Sequence, residues 1–127
     1  MQAKFKIITN NPLVSKEIGS EYPVEYYDMS YEEVLKKVRD YIYKGHALLS
    51  HPLSGSVKPN ETPYKSVMVS AEAAQTDFQS VEIIEKAIET CLKFTPRPVK
   101  YKPEVYEDFQ MVDKTLIESA IPSATAW

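Results

Sequence analysis

The sequence predicts an α/β fold: a single small domain with a mostly parallel open sheet of about four strands and helices packed on it. Three observations carry this expectation. Short apolar segments with strand character alternate with amphipathic segments of helical spacing, in the order β-α-β-α-β-loop-β-α-α. Two capping-box patterns, Ser30-x-x-Glu33 and Thr76-x-x-Gln79, stand just ahead of the clearest amphipathic stretches. The chain has 127 residues, 43% hydrophobic and 26% charged. That is an ordinary globular mixture, and at roughly 150 residues per domain it makes one domain over 1–127, with 122–127 as a tail.

The elements follow from local chemistry. Residues 4–9 alternate charged and apolar side chains and read as a first strand, ended by Asn10-Asn11-Pro12. Residues 13–18 form a helical turn or two before Gly19, and 23–27 form a weaker second strand. After Ser30, the positions Val34, Leu35, Val38, Tyr41 and Ile42 fall on one helical stripe, and Gly45 suits the C′ position. A helix is therefore expected from about Tyr31 to Lys44. Ala47-Leu48-Leu49 reads as a short buried strand and Val67-Met68-Val69 as a fourth. No helix lies between those two, so the fourth can instead pair antiparallel. Val81, Ile84, Ile88 and Cys91, with Leu92 beside them, mark a further amphipathic helix broken by Thr95-Pro96-Arg97-Pro98. Pro103 opens a last helix with Val105, Phe109, Val112 and Leu116 on one face, stopped by Pro122.

Composition excludes several functions. Net charge is -3, with a pI near 5.4, so there is no bulk attraction to nucleic acid or to an acidic membrane. Apolar runs are no longer than four residues, against roughly 18 for a membrane span. The start, Met1-Gln2-Ala3-Lys4-Phe5-Lys6, leads into no apolar signal region, so a cytoplasmic location is expected. The single cysteine, Cys91, excludes an internal disulfide, a cysteine-based zinc site and CxxC redox chemistry. Its place on an apolar stripe makes it an inert core thiol. No Walker A, GxGxxG, HExxH or GxSxG pattern is present. Neither a metal nor a cofactor is expected.

The segment His51–Ser66 is the candidate functional loop. A connection this long is uncommon in a small domain and is usually functional or disordered. Gly55 between Ser54 and Ser56 permits close approach to a ligand, and successive N–H groups there can cradle an anion with Lys58 or Lys65 adding charge. Thr9, Asn10 and Asn11 leave the carboxyl end of the first strand, where open α/β sheets bind ligands, and join the loop if the first and third strands run parallel. The candidate ligand-binding set is Thr9, Asn10, Asn11, His51, Ser54, Gly55, Ser56, Lys58, Asn60, Glu61, Thr62, Tyr64 and Lys65. His51 is the candidate acid/base, since imidazole titrates near neutrality. His46 suits a hydrogen-bonded corner. Tyr26, Tyr27, Tyr31, Tyr41 and Tyr43 suit core edges or an oligomer contact.

The strings Ile7–Pro12, Lys44-Gly45-His46 and His51-Pro52-Leu53-Ser54-Gly55-Ser56-Val57-Lys58-Pro59-Asn60-Glu61-Thr62-Pro63-Tyr64-Lys65-Ser66 resemble the GrdX family. These are small proteins encoded with the glycine, sarcosine and betaine reductase systems of anaerobic bacteria. The resemblance covers most of the chain, closely in the loop and loosely in the last two helices. It implies a cytoplasmic accessory role around selenium-dependent amino-acid reduction, which yields acetyl phosphate, and it implies no catalytic residues. Reductase chemistry uses selenocysteine and thiols, so a chain with only Cys91 does not suit a catalytic subunit.

Three functions stay open. The first is an accessory or regulatory protein that binds a small anionic metabolite or a reductase component through the loop. The second is a small enzyme acting on a phosphorylated or acyl substrate through His51. The third is a homodimeric scaffold built on exposed tyrosines and Trp127.

Overall fold

The computed structural model describes residues 4–53, 58, 61–94 and 100–125. Strand β1 is Phe5–Thr9, helix α1 Pro12–Glu17, strand β2 Val24–Tyr26 and helix α2 Tyr31–Tyr43. Strand β3 is Ser66–Ser70, followed by helices α3 Phe78–Leu92, α4 Pro103–Glu118 and α5 Ile121–Thr125.

The strand order is β2-β1-β3. β1 runs parallel to β2, with Ile7 opposite Val24, and antiparallel to β3, with Ile7 opposite Met68 and Thr9 opposite Ser66. The sheet is therefore mixed and three-stranded, where about four mostly parallel strands were expected. Leu48 makes only a single antiparallel bridge, to Val69. Serine hydroxyls take up the neighbouring backbone donors: Ala47 N–H donates to Ser70 Oγ at 2.8 Å and Leu48 N–H to Ser80 Oγ at 2.9 Å. With side chains satisfying these groups, residues 47–49 follow the sheet edge without building a full ladder. β3 pairs antiparallel because the chain returns from residue 51 through a loop, with no crossover helix among the described residues.

Successive strand residues point to opposite faces, so each face builds its own core. Ile8, Val67 and Val69 pack on α2 and α3 through Val34, Leu35, Val38, Ile42, Ile84 and Ile88. Phe5, Ile7 and Met68 pack on Val14 and Ile18 and on Ile117 and Ile121 of α4 and α5. The result is a helix–sheet–helix sandwich around a sheet with both faces covered. At roughly 1.5–3 kcal/mol per buried large aliphatic side chain, these two clusters are the main source of stability.

Helix α2 starts as expected. Glu33 N–H donates to Ser30 Oγ at 3.1 Å, and Ser30 N–H donates to Glu33 Oε1 at 3.0 Å. It ends at Gly45, whose φ of 110° only glycine adopts readily and whose missing Cβ leaves room for the Ala74 carbonyl. The expected box Thr76-x-x-Gln79 does not form. Asp77 is the N-cap of α3, and its carboxylate accepts from the Ser80 hydroxyl instead of a helix N–H.

Helix α4 turns differently from its apolar stripe. Its buried residues are Asp113 and Ile117, whereas Val112 is 43% exposed and Val105, Phe109 and Leu116 are half-buried. Residues 122–125, expected as part of a tail, form α5 with Ile121, which is buried in the second core. Pro122 lies in the first turn of that helix, where its missing N–H costs nothing. No helix among the described residues is long and apolar enough to cross a membrane.

Candidate functional site

Polar residues concentrate where β1 ends and β3 begins. Thr9, Asn10, Asn11, Lys65, Ser66 and Asp113 are all buried there. Strand geometry brings the first five together, because the antiparallel register sets Thr9 opposite Ser66. Helix α4 supplies Asp113 from the far end of the chain.

These groups form a directed chain. Asn11 N–H donates to Thr9 Oγ1 at 2.9 Å, and Thr9 Oγ1 lies 2.7 Å from Ser66 Oγ. Ser66 Oγ–H donates to Asp113 Oδ2 at 2.7 Å, so Thr9 is the donor between the two hydroxyls. Asp113 also accepts from Ser66 N–H on Oδ1 at 3.1 Å and from Asn11 Nδ2 on Oδ2 at 3.0 Å. Three donors on one buried carboxylate compensate the loss of water around its charge.

Asn10 closes the second half of the seam. Its Nδ2 donates to the carbonyls of Met29 at 2.9 Å and Pro63 at 2.8 Å, and its Oδ1 accepts from Lys65 N–H at 2.8 Å. One side chain thus ties the end of β1 to the approach to α2 and to the end of the long loop. Asn11 does the same for α4, donating to the Gln110 carbonyl at 2.9 Å while its Oδ1 caps α1 at Leu13 N–H.

A small pocket opens beside this seam. Its polar side is Tyr31, Thr62, Tyr64, Lys65 and Asp113. Its apolar side is Phe109, Val112 and Leu116, the stripe that α4 turns away from the core. The cavity has about 20 Å³, room for a water-sized group. Lys65 is 5% exposed, and its Nζ lies 5.8 Å from the centroid of the Tyr31 ring. Burial pulls the lysine pKa below its usual value, and the Asp113 charge opposes that pull. Tyr31 is 8% exposed, and its hydroxyl makes no hydrogen bond to any described residue. Burial raises its pKa, with Cys91 and Asp113 adding to the shift, so the phenol stays protonated and remains a donor.

The structure brings Thr9, Asn10, Asn11, Thr62, Tyr64 and Lys65 of the expected set together at or beside this pocket. Glu61 lies next to them, its carbonyl accepting from the Tyr101 hydroxyl at 2.9 Å. Thr9, Asn10 and Asn11 hold the frame and do not line the cavity. His51 stands apart. It is exposed, and its Nδ1 accepts from Leu53 N–H at 3.1 Å within its own turn. Lys58 is exposed, and its carbonyl accepts from Glu61 N–H. Ser54, Gly55, Ser56 and Asn60 lie outside the described residues. His46 is buried at the end of α2, with Nδ1–H donating to the Ser70 carbonyl at 2.8 Å. Burial raises the pKa of the Cys91 thiol, with Glu32 adding and Lys36 opposing.

Sequence reasoning missed Tyr31, Phe109 and Asp113. Phe109, Asp113 and Ile117 follow one another at steps of four, so a carboxylate sits inside a helical stripe. That interruption was the available signal.

The fold and site define a class: a small helix–sheet–helix protein whose strand ends hold a buried polar seam beside a donor-rich pocket. A profile of the GrdX-like protein family matches residues 6–122, nearly the whole chain, and the chain belongs to that family. No curated protein matches it, and no solved structure does.

Proposed function

We propose that this protein is an accessory or regulatory component of a glycine, sarcosine or betaine reductase system and binds a small anionic metabolite at the end of the 51–66 loop. Family membership suggests the association with glycine reductase systems. The binding role is supported chiefly by one observation: a lysine ammonium, Lys65, buried to 5% exposure on the wall of a pocket. Burying a charge is costly, and a chain keeps such a group where it has work to do. The Asp113 charge offsets part of that cost.

The acid/base reading of His51 finds no support in this geometry, because that ring faces solvent and lies outside the pocket lining. A reductase component is the other partner class, engaging the same loop as a protein surface.

The test is a thermal-shift panel on the purified chain with phosphate, acetyl phosphate, glycine, sarcosine, betaine and common nucleotides. A ligand at about 100 times its Kd adds roughly 2.7 kcal/mol, an easily visible shift. The expected result is a shift with an anionic compound that disappears in Lys65→Met. No shift with any compound rejects small-molecule binding and leaves the reductase component as partner.

A further inference from the structure

The pocket also carries information about the charge and shape of what it holds. This step rests on the anion-binding reading above. We propose that the ligand is a small monocarboxylate. Its carboxylate accepts from the Tyr31, Thr62 and Tyr64 hydroxyls beside the Lys65 ammonium, and its aliphatic end lies on Phe109 and Val112.

The polar wall offers donors. Tyr31 is 8% exposed and lines the cavity, and its hydroxyl has no hydrogen-bond partner among the described residues. A buried hydroxyl left in that state costs about 1–3 kcal/mol, so a bound acceptor is the simplest account of it. Thr62 Oγ1 accepts from Tyr64 N–H at 3.2 Å and keeps its own proton to give. Tyr64 Oη accepts from Gln110 Nε2 at 2.8 Å and likewise keeps its proton.

Asp113 decides the charge. Its two oxygens already accept from Ser66 N–H, Ser66 Oγ and Asn11 Nδ2. It therefore has little capacity left for a ligand ammonium, which argues against a free amino acid held by both ends. The same carboxylate balances Lys65, so the wall is formally neutral at pH 7. A single negative charge is accepted there more readily than two, which argues against phosphate.

Polarity agrees. Hydroxyls and Lys65 stand on one side of the pocket, and Phe109, Val112 and Leu116 on the other. Its outer wall is apolar, with Val112 43% exposed at the rim. That arrangement suits a short hydrocarbon tail leading outward.

The experiment titrates the whole chain with acetate, propionate, butyrate, phosphate and glycine, followed by calorimetry and saturation-transfer NMR. Acetate or a longer homologue is expected to bind at least tenfold tighter than phosphate or glycine. Tyr31→Phe removes one oxygen that no described residue uses, so the variant is expected to fold as the parent does and to lose roughly tenfold in carboxylate affinity. Thr62→Val provides a second variant, with a smaller loss.

Phosphate binding that depends on Lys65 but is indifferent to Tyr31→Phe overturns the carboxylate assignment and leaves the anion site standing. Glycine binding as tightly as acetate overturns the exclusion of an ammonium. Binding of neither carboxylates nor phosphate overturns this proposal and the small-anion reading together.

Discussion

Asp113 of α4 and Ser66 of β3 are joined twice, from the Ser66 N–H to Oδ1 at 3.1 Å and from the Ser66 hydroxyl to Oδ2 at 2.7 Å. The pair is buried and spans 47 positions of sequence. It fixes the rotation of α4 on the sheet. With Asp113 aimed at the start of β3, Ile117 falls on the core below, and Phe109, Val112 and Leu116 are left to line the pocket. Asp113→Ala removes the acceptor of the buried Ser66 N–H and of the Ser66 hydroxyl, and one of the two acceptors of the Asn11 amide, which keeps the Gln110 carbonyl. A loss of about 3 kcal/mol is expected in urea unfolding, more than loss of a surface ion pair such as Lys86–Glu82 would cause. A loss below about 1 kcal/mol would show that α4 is held by apolar packing alone.

The two long N-terminal helix starts should respond differently to loss of their caps. Ser30→Ala removes a reciprocal pair of bonds at the start of α2 and should cost about 1 kcal/mol. Asp77 caps no N–H of α3 but accepts from the Ser80 hydroxyl, which in turn accepts from Leu48 N–H. Asp77→Ala should therefore loosen the 47–49 segment more than the helix. Amide exchange at Leu48 is the measurement, and unchanged protection there would reject this assignment.

Gly45 combines a φ of 110° with a backbone contact at Ala74, whose N–H donates to the Gly45 carbonyl at 3.0 Å. Gly45→Ala meets both the strained conformation and the Ala74 carbonyl. It should destabilise by more than about 1 kcal/mol, the reverse of the gain this substitution produces at relaxed sites. Chemical denaturation of the variant is the check, and a neutral result would mean that the turn has an alternative geometry.

Stability should fall at both ends of the pH range. Burial pushes the Glu25 pKa upward, but bonds from Tyr41, Lys6 and Tyr27 outweigh it and leave the carboxyl below its ordinary 4.5. As pH falls through 4.5, the unfolded chain takes up this proton first, and the contribution is lost by the time pH passes the folded value. At high pH, burial raises the pKa of both Tyr31 and Tyr41, the latter with help from its bond to Glu25. Their contribution is complete below pH 10 and is lost as pH rises above it. Lys65 works in the opposite sense, since its lowered folded pKa makes the native state release a proton first, so stability rises with pH between that value and 10.5. Melting temperature against pH tests this. Glu25→Gln should flatten the acid limb and Lys65→Met should remove the alkaline rise, and unchanged profiles would reject the assignments.

Much of the fold was legible because its signals are local. The capping box at Ser30, the stripe Val34, Leu35, Val38 and Ile42, and Gly45 define α2 within fifteen or so residues of chain. Residues 47–49 misled because an apolar triplet looks the same whether it builds a ladder or a single bridge. Only the positions of Ser70 and Ser80 decide which, and both are distant in sequence. The candidate pocket was legible in part: Thr62, Tyr64 and Lys65 stand in a long loop that calls for explanation and line it, with Asn10 in the turn beside it, whereas exposed His51 lies outside that lining.

By itself, the sequence determined the family, the helices with their caps, and the concentration of unusual residues between 51 and 66. These depend on neighbours within a few turns or on the string of residues itself. Only the tertiary structure decided the mixed three-stranded sheet, the rotation of α4, and the meeting of Tyr31, Lys65 and Asp113 around one pocket. Those depend on which buried donors and acceptors find each other across the whole chain. A carboxylate at position 113 and a hydroxyl at position 66 carry no local sign of that pairing.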